Sequence, residues 1–563
     1  MKVIIVGGVA GGASAAARLR RLDENAQIIV FERSGYISYA NCGLPYYVGG
    51  VIEEQNELTL QTPDSLWERF RIDVRIRHEV TSVDTSNKLV TVHGLDTGRE
   101  YTESYDKLIL ATGAKPTVPQ MAGVELENVF SLRTVEDTLR IRRYVEDKQP
   151  KSVVIAGGGY IGIEMAENLC ELGIQTTIVQ RPAQLMAPLD SDMAALVHAK
   201  MRSHGVRLKF GSSVIGFEKD GNAVKTLLKD ESPLSSDMVI LAIGITPDTS
   251  LAKKAGLKLG IRGSIIVNEK METSAKDVYA VGDSVQVKNF VTCEDALISL
   301  AGPANKQGRI AADNICGIES TYKGSMGSSV IKLFDMTIAT TGINEKTTAS
   351  AGIAIEKIIL SPASHATYYP GAKTMVMKVI CDKRSQKLLG AQIIGYDGVD
   401  KRIDVLATAI HCGMTGPELK ELDLAYAPPF SSAKDPVNMA GFMFENIFNG
   451  IVKQFHFEDI EKLPHDGSIT LLDTRTNGEF ARGHADGFIH IPVDDLRERM
   501  PEVPKEKPVY VMCQSGLRSY IACRILTQNG YDCYNFSGGF SFYNTVKNDL
   551  LTAKETYPCG MEK

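Results

Sequence analysis

Two glycine clusters put phosphate-binding chemistry at fixed points of the sequence. Gly157, Gly159 and Gly162 stand at GxGxxG spacing. In such a turn the first glycine allows the tight bend and the second lets the backbone approach a pyrophosphate. The third lets the following helix pack close to its strand. The phosphates then meet free N–H groups and the positive end of a helix dipole. Gly7, Val9 and Gly12 hold the same spacing with a valine in the middle, flanked by Gly8. Glu32 follows Gly12 by 20 residues. It ends the next apolar run, where a carboxylate accepts the hydroxyl pair of a ribose, and Arg33 comes next. The matching place after the second cluster is Gln180, followed by Arg181. Gln180 bonds a ribose but does not repel a 2′-phosphate, and Arg181 tolerates one, so the site leans towards NADH and leaves NADPH open. A single cluster of this kind is also an ordinary α/β turn; two in the same setting argue for nucleotide binding.

The elements that must carry these turns repeat. Val3–Val6 reads as a strand, Ala13–Leu22 as a helix and Gln27–Phe31 as a strand. Ser152–Ala156, Ile163–Leu172 and Thr176–Val179 restate that order. The spacing predicts two βαβ dinucleotide units. Strand-rich text lies between them, ending at Ala111-Thr112-Gly113, and again after the second unit, up to Val281-Gly282-Asp283. Residues 326–445 combine β-branched runs with helical stretches. Residues 462–563 restart an α/β alternation. The expected architecture is α/β. A discontinuous dinucleotide-binding domain spans 1–115 and 240–325, and a second dinucleotide-binding domain spans 116–239. An α+β domain follows at 326–445, then a connector at 446–461 and a last α/β domain at 462–563.

Composition removes other classes. The chain has 563 residues, with 62 Lys+Arg against 68 Asp+Glu and a net charge of −6. That balance offers no basic surface for nucleic acid or for an anionic membrane. No apolar run approaches the roughly 18 residues of a membrane span. The first apolar run breaks at Gly7, short of a signal-peptide core. The ten cysteines form no CxxC pair, which argues against a disulfide scaffold and against a zinc site. A cytoplasmic, thiol-reducing setting without a metal is the expectation.

With Ala111-Thr112-Gly113 between the two units and Tyr279-Ala280-Val281-Gly282-Asp283 after them, residues 1–445 resemble the two-dinucleotide-fold flavoprotein disulfide reductases. That resemblance implies FAD in the first unit and NAD(P)H in the second, with Asp283 on the flavin ribityl chain. It also implies Tyr160 covering the flavin beside Ile161, with Glu164 one turn on. The segment Ser38-Tyr39-Ala40-Asn41-Cys42-Gly43-Leu44-Pro45-Tyr46 is similar to the single-cysteine branch, which holds coenzyme A-disulfide reductases, NADH oxidases and peroxidases. Position 47 is tyrosine, so Cys42 has no local disulfide partner. Beside a flavin, a lone cysteine cycles as a mixed disulfide, a persulfide or a sulfenic acid. By position, the same branch implies a coenzyme A site from Ser14, Arg18, Arg21, Ser38, Asn41, Asn305, Arg309 and Lys434, with Ala301 opening the flavin-facing helix. Arg71 is an added candidate without a motif. Cations suit the 3′-phosphate and pyrophosphate of coenzyme A, although Arg18, Arg20 and Arg21 alone also read as a solvated helix face. The stretches His365–Gly371 and Ala425–Pro429 look like those that carry tyrosines into a partner's site in a homodimer. The resemblance then makes one of Tyr368 and Tyr369, with Tyr426, an O–H donor to a thiolate; packing at an interface is the plainer use.

Cys513-Gln514-Ser515-Gly516-Leu517-Arg518-Ser519 falls between a strand and a helix, after Asp473, Arg475, Glu479 and Gly483-His484. This order is similar to rhodanese domains. Loop N–H groups and a helix N-terminus facing Cys513 favour a thiolate or a persulfide, and Arg518 either adds charge or braces the loop. Phosphatase loops of related form are one residue longer. Cys523 and Cys533 read as packing residues.

Taken together, the chain resembles NADH-dependent persulfide or polysulfide reductases, in which a coenzyme A-disulfide reductase is fused to a rhodanese. The implied substrates are coenzyme A persulfide, polysulfide and coenzyme A disulfide. Cys42 would release sulfide or coenzyme A, and Cys513 would handle sulfane sulfur. A coenzyme A-disulfide reductase of thiol homeostasis, an NADH oxidase and a sulfurtransferase centred on Cys513 remain alternatives.

Overall fold

The computed structural model describes residues 1–464 and 466–555. The end of the expected last domain, residues 556–563 with Cys559, lies outside the described residues. The chain divides into two compact units. The first holds Met1–Ala183 and His204–Gly327; the second holds Gln184–Ser203 with everything from Ser328 onward.

The first unit contains two five-stranded parallel sheets. In one, β1 (Lys2–Val6) lies between β2 (Gln27–Glu32) and strand Lys107–Leu110. β3 (Asp73–Ile76) and Val278–Ala280 form its edges. In the other, Ser152–Ala156 lies between Gln175–Gln180 and Met238–Leu241. Parallel sheets are covered on both faces, so their strands read as unbroken apolar runs. Val3, Ile4 and Ile5 are fully buried accordingly. α1 (Ala10–Leu22) follows β1 directly. Its Arg20 is buried, not part of a solvated face: the guanidinium donates to the carbonyls of Asp23, Glu24, Ala26, Phe70 and Arg71. It thereby ties α1 to the end of α3 (Pro63–Phe70).

The second unit carries a five-stranded antiparallel sheet over residues 329–395 and a parallel sheet ordered Lys453–Phe455, Cys533–Phe536, Val509–Met512, Thr470–Asp473, Ile489–His490. The expected connector has structure of its own: helix Pro436–Phe448 runs into it, and Lys453–Phe455 is an edge strand of the last sheet. Several bonds fasten that last sheet's surroundings to the rest of the unit. The Ile359 N–H donates to Ser537 Oγ at 2.9 Å, Lys357 pairs with Glu458, and Arg524 donates to the Ile451 carbonyl. Asp549 takes both His198 Nδ1, at 2.8 Å, and Arg202. Burial pushes the His198 pKa down, against the pull of Asp549.

Asp190, Asp192 and Glu345 converge closely enough to hold a cation. The ammonium of Lys378, wholly buried, occupies their centre, 3.0 Å from Asp190 and 2.8 Å from Asp192.

Candidate active sites

Both glycine turns have the geometry their spacing requires. Gly157 has φ +111°, and a Cβ at Gly162 would meet the Gly157 carbonyl oxygen at 2.0 Å. Gly7 and Gly12 repeat the two constraints, at φ +101° and 1.9 Å. No atom lies within 4 Å of where a Gly159 Cβ would stand, which leaves that backbone open to close approach. Val9 replaces this glycine without strain, because its φ is −101°. Helices α1 and Tyr160–Glu171, where Tyr160, Ile161 and Glu164 lie, start with no acidic first turn and no side-chain cap. Their first N–H groups therefore suit an anion.

Glu32 is buried and accepts the N–H groups of Gly8 and Ser34, each at 2.9 Å. Burial raises its pKa against those bonds. Gln180 accepts the Gly158 N–H at 3.1 Å, so a neutral amide occupies the place of Glu32 in the second turn. Arg33 pairs with Asp248 at 2.9 Å. Asp248 donates its N–H to the Gly113 carbonyl, and its own carbonyl accepts from Thr112 Oγ1, which fixes the strand end after Ala111. Asp283 pairs with Arg133 at 3.0 Å. The Gly282 N–H bonds Gln307 Oε1 at 2.7 Å, setting this turn against helix Ala301–Ile315.

Cys42 lies in a short turn, Asn41–Gly43, just before α2 (Leu44–Val48). Its loop hangs from the first glycine turn, because the Ser38 N–H donates to the Gly8 carbonyl at 2.9 Å. Residues 38–40 then run beside 58–60: Ala40 N–H donates to Leu58 and Leu60 N–H to Ser38. Cys42 reaches the surface. Desolvation and the Glu164 carboxylate push its thiol above the ordinary range, while Arg133 pulls the other way. Glu164 is itself raised to about 7 by burial and by Glu167, and Tyr46 to about 12 by burial and Glu164. The structure thus gathers Cys42, Glu164 and Asp283 into one electrostatic neighbourhood with Arg133, which no motif marks in the sequence.

The proposed coenzyme A contacts fall into both units. Ser14 Oγ bonds Asn305 Oδ1 at 2.8 Å, and Arg18 pairs with Asp313 at 2.6 Å. Arg309 stands 4.0 Å from the same carboxylate. Ser38 and Asn41 flank Cys42, Arg21 and Arg71 are exposed, and Lys434, also exposed, belongs to the second unit. In that unit the hydroxyls of Tyr368 and Tyr426 are bonded at 2.7 Å, while Tyr369 lies edge-on to His365.

The Cys513 loop is closed and ordered. Sγ is fully buried and accepts the Gly516 N–H at 3.1 Å and the Ser519 hydroxyl at 3.2 Å. Gly516 turns at φ +100° into helix Leu517–Gln528. Arg518 forms two bonds to Glu479, at 2.7 and 2.8 Å. That guanidinium holds the Glu479 carboxyl down at about 2. The pairing settles how Arg518 is held: it braces the loop against helix Asn477–Ala481. Arg475 is buried, chelates Asp473 and lies 3.8 Å from the centre of the Phe540 ring. Cys523 and Cys533 are packed in the core.

These turns and the lone cysteine beside them define a two-nucleotide disulfide oxidoreductase, joined to a closed loop that cradles a second cysteine. Family comparison agrees. The pyridine nucleotide-disulphide oxidoreductase model matches residues 1–308 and its dimerisation-domain model residues 328–436. The rhodanese-like domain model matches residues 456–545. The chain belongs to the pyridine nucleotide-disulphide oxidoreductase family. It is 34% identical to the coenzyme A disulfide reductase of Staphylococcus aureus strain JH9 over 442 residues, covering 78% of this chain and 99% of that one. Its fold matches the crystal structure of reduced Bacillus anthracis CoADR-RHD with a TM-score of 0.94, at 49% identity over 97% and 98% of the two chains. A NAD-dependent persulfide reductase from A. fulgidus gives 0.91, at 36% identity over 96% and 100%. Among the described residues, no helix is long and apolar enough to cross a membrane.

Proposed function

We propose that this protein is an FAD-dependent, NADH-linked reductase of coenzyme A persulfide, polysulfide and coenzyme A disulfide, acting in the cytoplasm as a homodimer. The observation that carries the reading is Cys42. It is hung from the first nucleotide turn by Ser38, its thiol is raised by burial and by the Glu164 carboxylate of the second, and it has tyrosine at position 47. The likeness to coenzyme A disulfide and persulfide reductases supports the substrate class. The matched dimerisation domain supports the homodimer.

The first turn fits a flavin dinucleotide. Gly7 and Gly12 clear its backbone, Glu32 is placed for a ribose, and Arg33, Thr112, Gly113, Asp283 and Ala301 complete the wall. The second fits a nicotinamide dinucleotide through Gly157, Gly159, Gly162, Tyr160 and Gln180. When bound, the flavin supplies the two-electron link between NADH and the cysteine. The chain's own steps are sulfur substitutions. Cys42 thiolate attacks the sulfane or disulfide sulfur; one S–S bond forms as another breaks, and the departing thiolate takes a proton. Tyr426 with Tyr368 or Tyr369 is the O–H donor to that thiolate. Ser14, Arg18, Arg21, Ser38, Asn41, Arg71, Asn305, Arg309 and Lys434 bind the coenzyme A portion. Cys513, cradled by two donors, accepts sulfane sulfur and passes it on, with Arg518 holding its loop.

Anaerobic NADH oxidation and sulfide release test this, with coenzyme A persulfide against coenzyme A disulfide. The expected result is one sulfide per NADH from the persulfide and loss of both reactions in Cys42→Ser. Substantial NADH-linked turnover in that variant overturns the assignment. Efficient disulfide turnover with little sulfide moves the protein to coenzyme A redox maintenance.

A further inference from the structure

The strand Gln175–Gln180 ends at the residue assigned to the ribose of the pyridine nucleotide, and residues 181–190 lead from it into helix Ser191–Ser203. In open α/β sheets, ligands bind just beyond the carboxyl ends of the strands. This segment begins at such an end.

One of its residues is strained. Met186 is buried and has φ +52°, a left-handed value that its side chain does nothing to favour. Such a backbone persists only where its surroundings hold it. Here both sides are held. The Ala187 and Pro188 carbonyls accept from Asn344 Nδ2 at 3.3 and 3.2 Å, and the Asp190 N–H donates to Gln392 Oε1 at 2.8 Å. Before Met186, the Leu185 N–H donates to His198 Nε2 at 3.0 Å.

That last bond depends on a residue far along the chain. An acceptor at Nε2 places the imidazole proton on Nδ1, and Nδ1 faces Asp549 at 2.8 Å. The other Asp549 oxygen takes Arg202. Asp549 lies on the last helix, Gly539–Glu555, whose Phe540 N–H donates to the Cys513 carbonyl at 2.7 Å. Leu185 and His198 are both buried, so water does not replace either bond. The carboxylate therefore fixes the tautomer that the Leu185 N–H needs.

We infer that Asp549 is a positioning residue for the pyridine nucleotide: through His198 it sets the segment that follows Gln180, so the last domain serves the nucleotide site as well as Cys513. This rests on the nicotinamide reading of the second glycine turn. In Asp549→Asn the amide oxygen stays on Arg202 and the NH2 group turns to His198 Nδ1. The ring proton then moves to Nε2, where it opposes the Leu185 N–H.

Calorimetric titration of the flavin-loaded protein with NAD+ and with ADP-ribose reads this without turnover. Asp549→Asn is expected to weaken both about fivefold and to raise KM for NADH by a similar factor, with kcat and KM for coenzyme A disulfide unchanged. His198→Leu, which fills the same space without an acceptor, is expected to show the same loss, and Asp549→Glu to restore most of the affinity. Glu458→Gln loosens the same domain where it meets Lys357 and is expected to leave both affinities unmoved. Parental affinity in Asp549→Asn and His198→Leu, or an equal loss in Glu458→Gln, overturns the inference and leaves the proposed function standing. A parent protein that binds neither probe and oxidises no NADH is instead a failure of the nicotinamide reading, and the inference falls with it.

Discussion

Glu164→Gln is the most informative single change near Cys42. The carboxyl is raised from 4.5 to about 7 by burial and by Glu167. It is therefore about one-tenth ionised at pH 6 and about nine-tenths at pH 8. Ionised Glu164 is the largest charge effect that raises the Cys42 thiol. Two like charges about 4 Å apart repel by between about 1 kcal/mol in water and about 4 kcal/mol in a protein-like medium, which sets the upper range of the effect. Cys42 reaches the surface, so the lower figure applies, and about 1 kcal/mol is about fivefold in thiolate fraction. The variant-to-parent ratio of Cys42 alkylation should then be near one at pH 6 and climb to about 3.5 at pH 8. The sign follows from the charge: the parent carries the opposing carboxylate only above its pKa. Peptide-resolved mass spectrometry after timed iodoacetamide treatment reads Cys42 separately from the exposed Cys293 and Cys412. A ratio that stays flat from pH 6 to 8, or falls below one, refutes the coupling.

Two further changes test the second unit. Ser519→Ala removes one of two hydrogen bonds to Cys513 Sγ; a bond to a charged group is worth about 1.5–3 kcal/mol. Persulfide transfer through Cys513 should fall at least tenfold while coenzyme A disulfide reduction is unchanged, as separate sulfurtransferase and NADH assays would show. Lys378→Met removes the cation shared by Asp190, Asp192 and Glu345 at a buried position, leaving Lys357 only on Glu345. It should destabilise the unit by about 3–5 kcal/mol, seen as a lower urea midpoint, whereas Lys383→Met at the surface should not.

The legible parts of the fold were those set by local covalent geometry. The two glycine turns, Glu32 at the strand end and the Cys513 loop are short patterns whose residue types admit few backbones. Arg133 and Asp283 are 150 residues apart, and nothing in either neighbourhood announces the pair. Glu164 carries its meaning through burial, which no residue type encodes. Arg20 and Lys378 look like solvent-facing charges in the sequence, yet each is buried among oxygen atoms gathered from distant segments. Lys453–Phe455 is too short to show a strand period, and its pairing with Tyr534–Phe536 creates it.

The bonds that fasten the Cys513 domain bear on traffic. Ser537 to Ile359, Lys357 to Glu458 and Asp549 to His198 and Arg202 come from separate stretches of the domain. A module pinned at three places is a fixed station, not a swinging arm. If Cys513 accepts sulfane sulfur as proposed, that sulfur would have to leave by exchange with a diffusing thiol. Transfer from Cys513 would then depend on the concentration of that thiol.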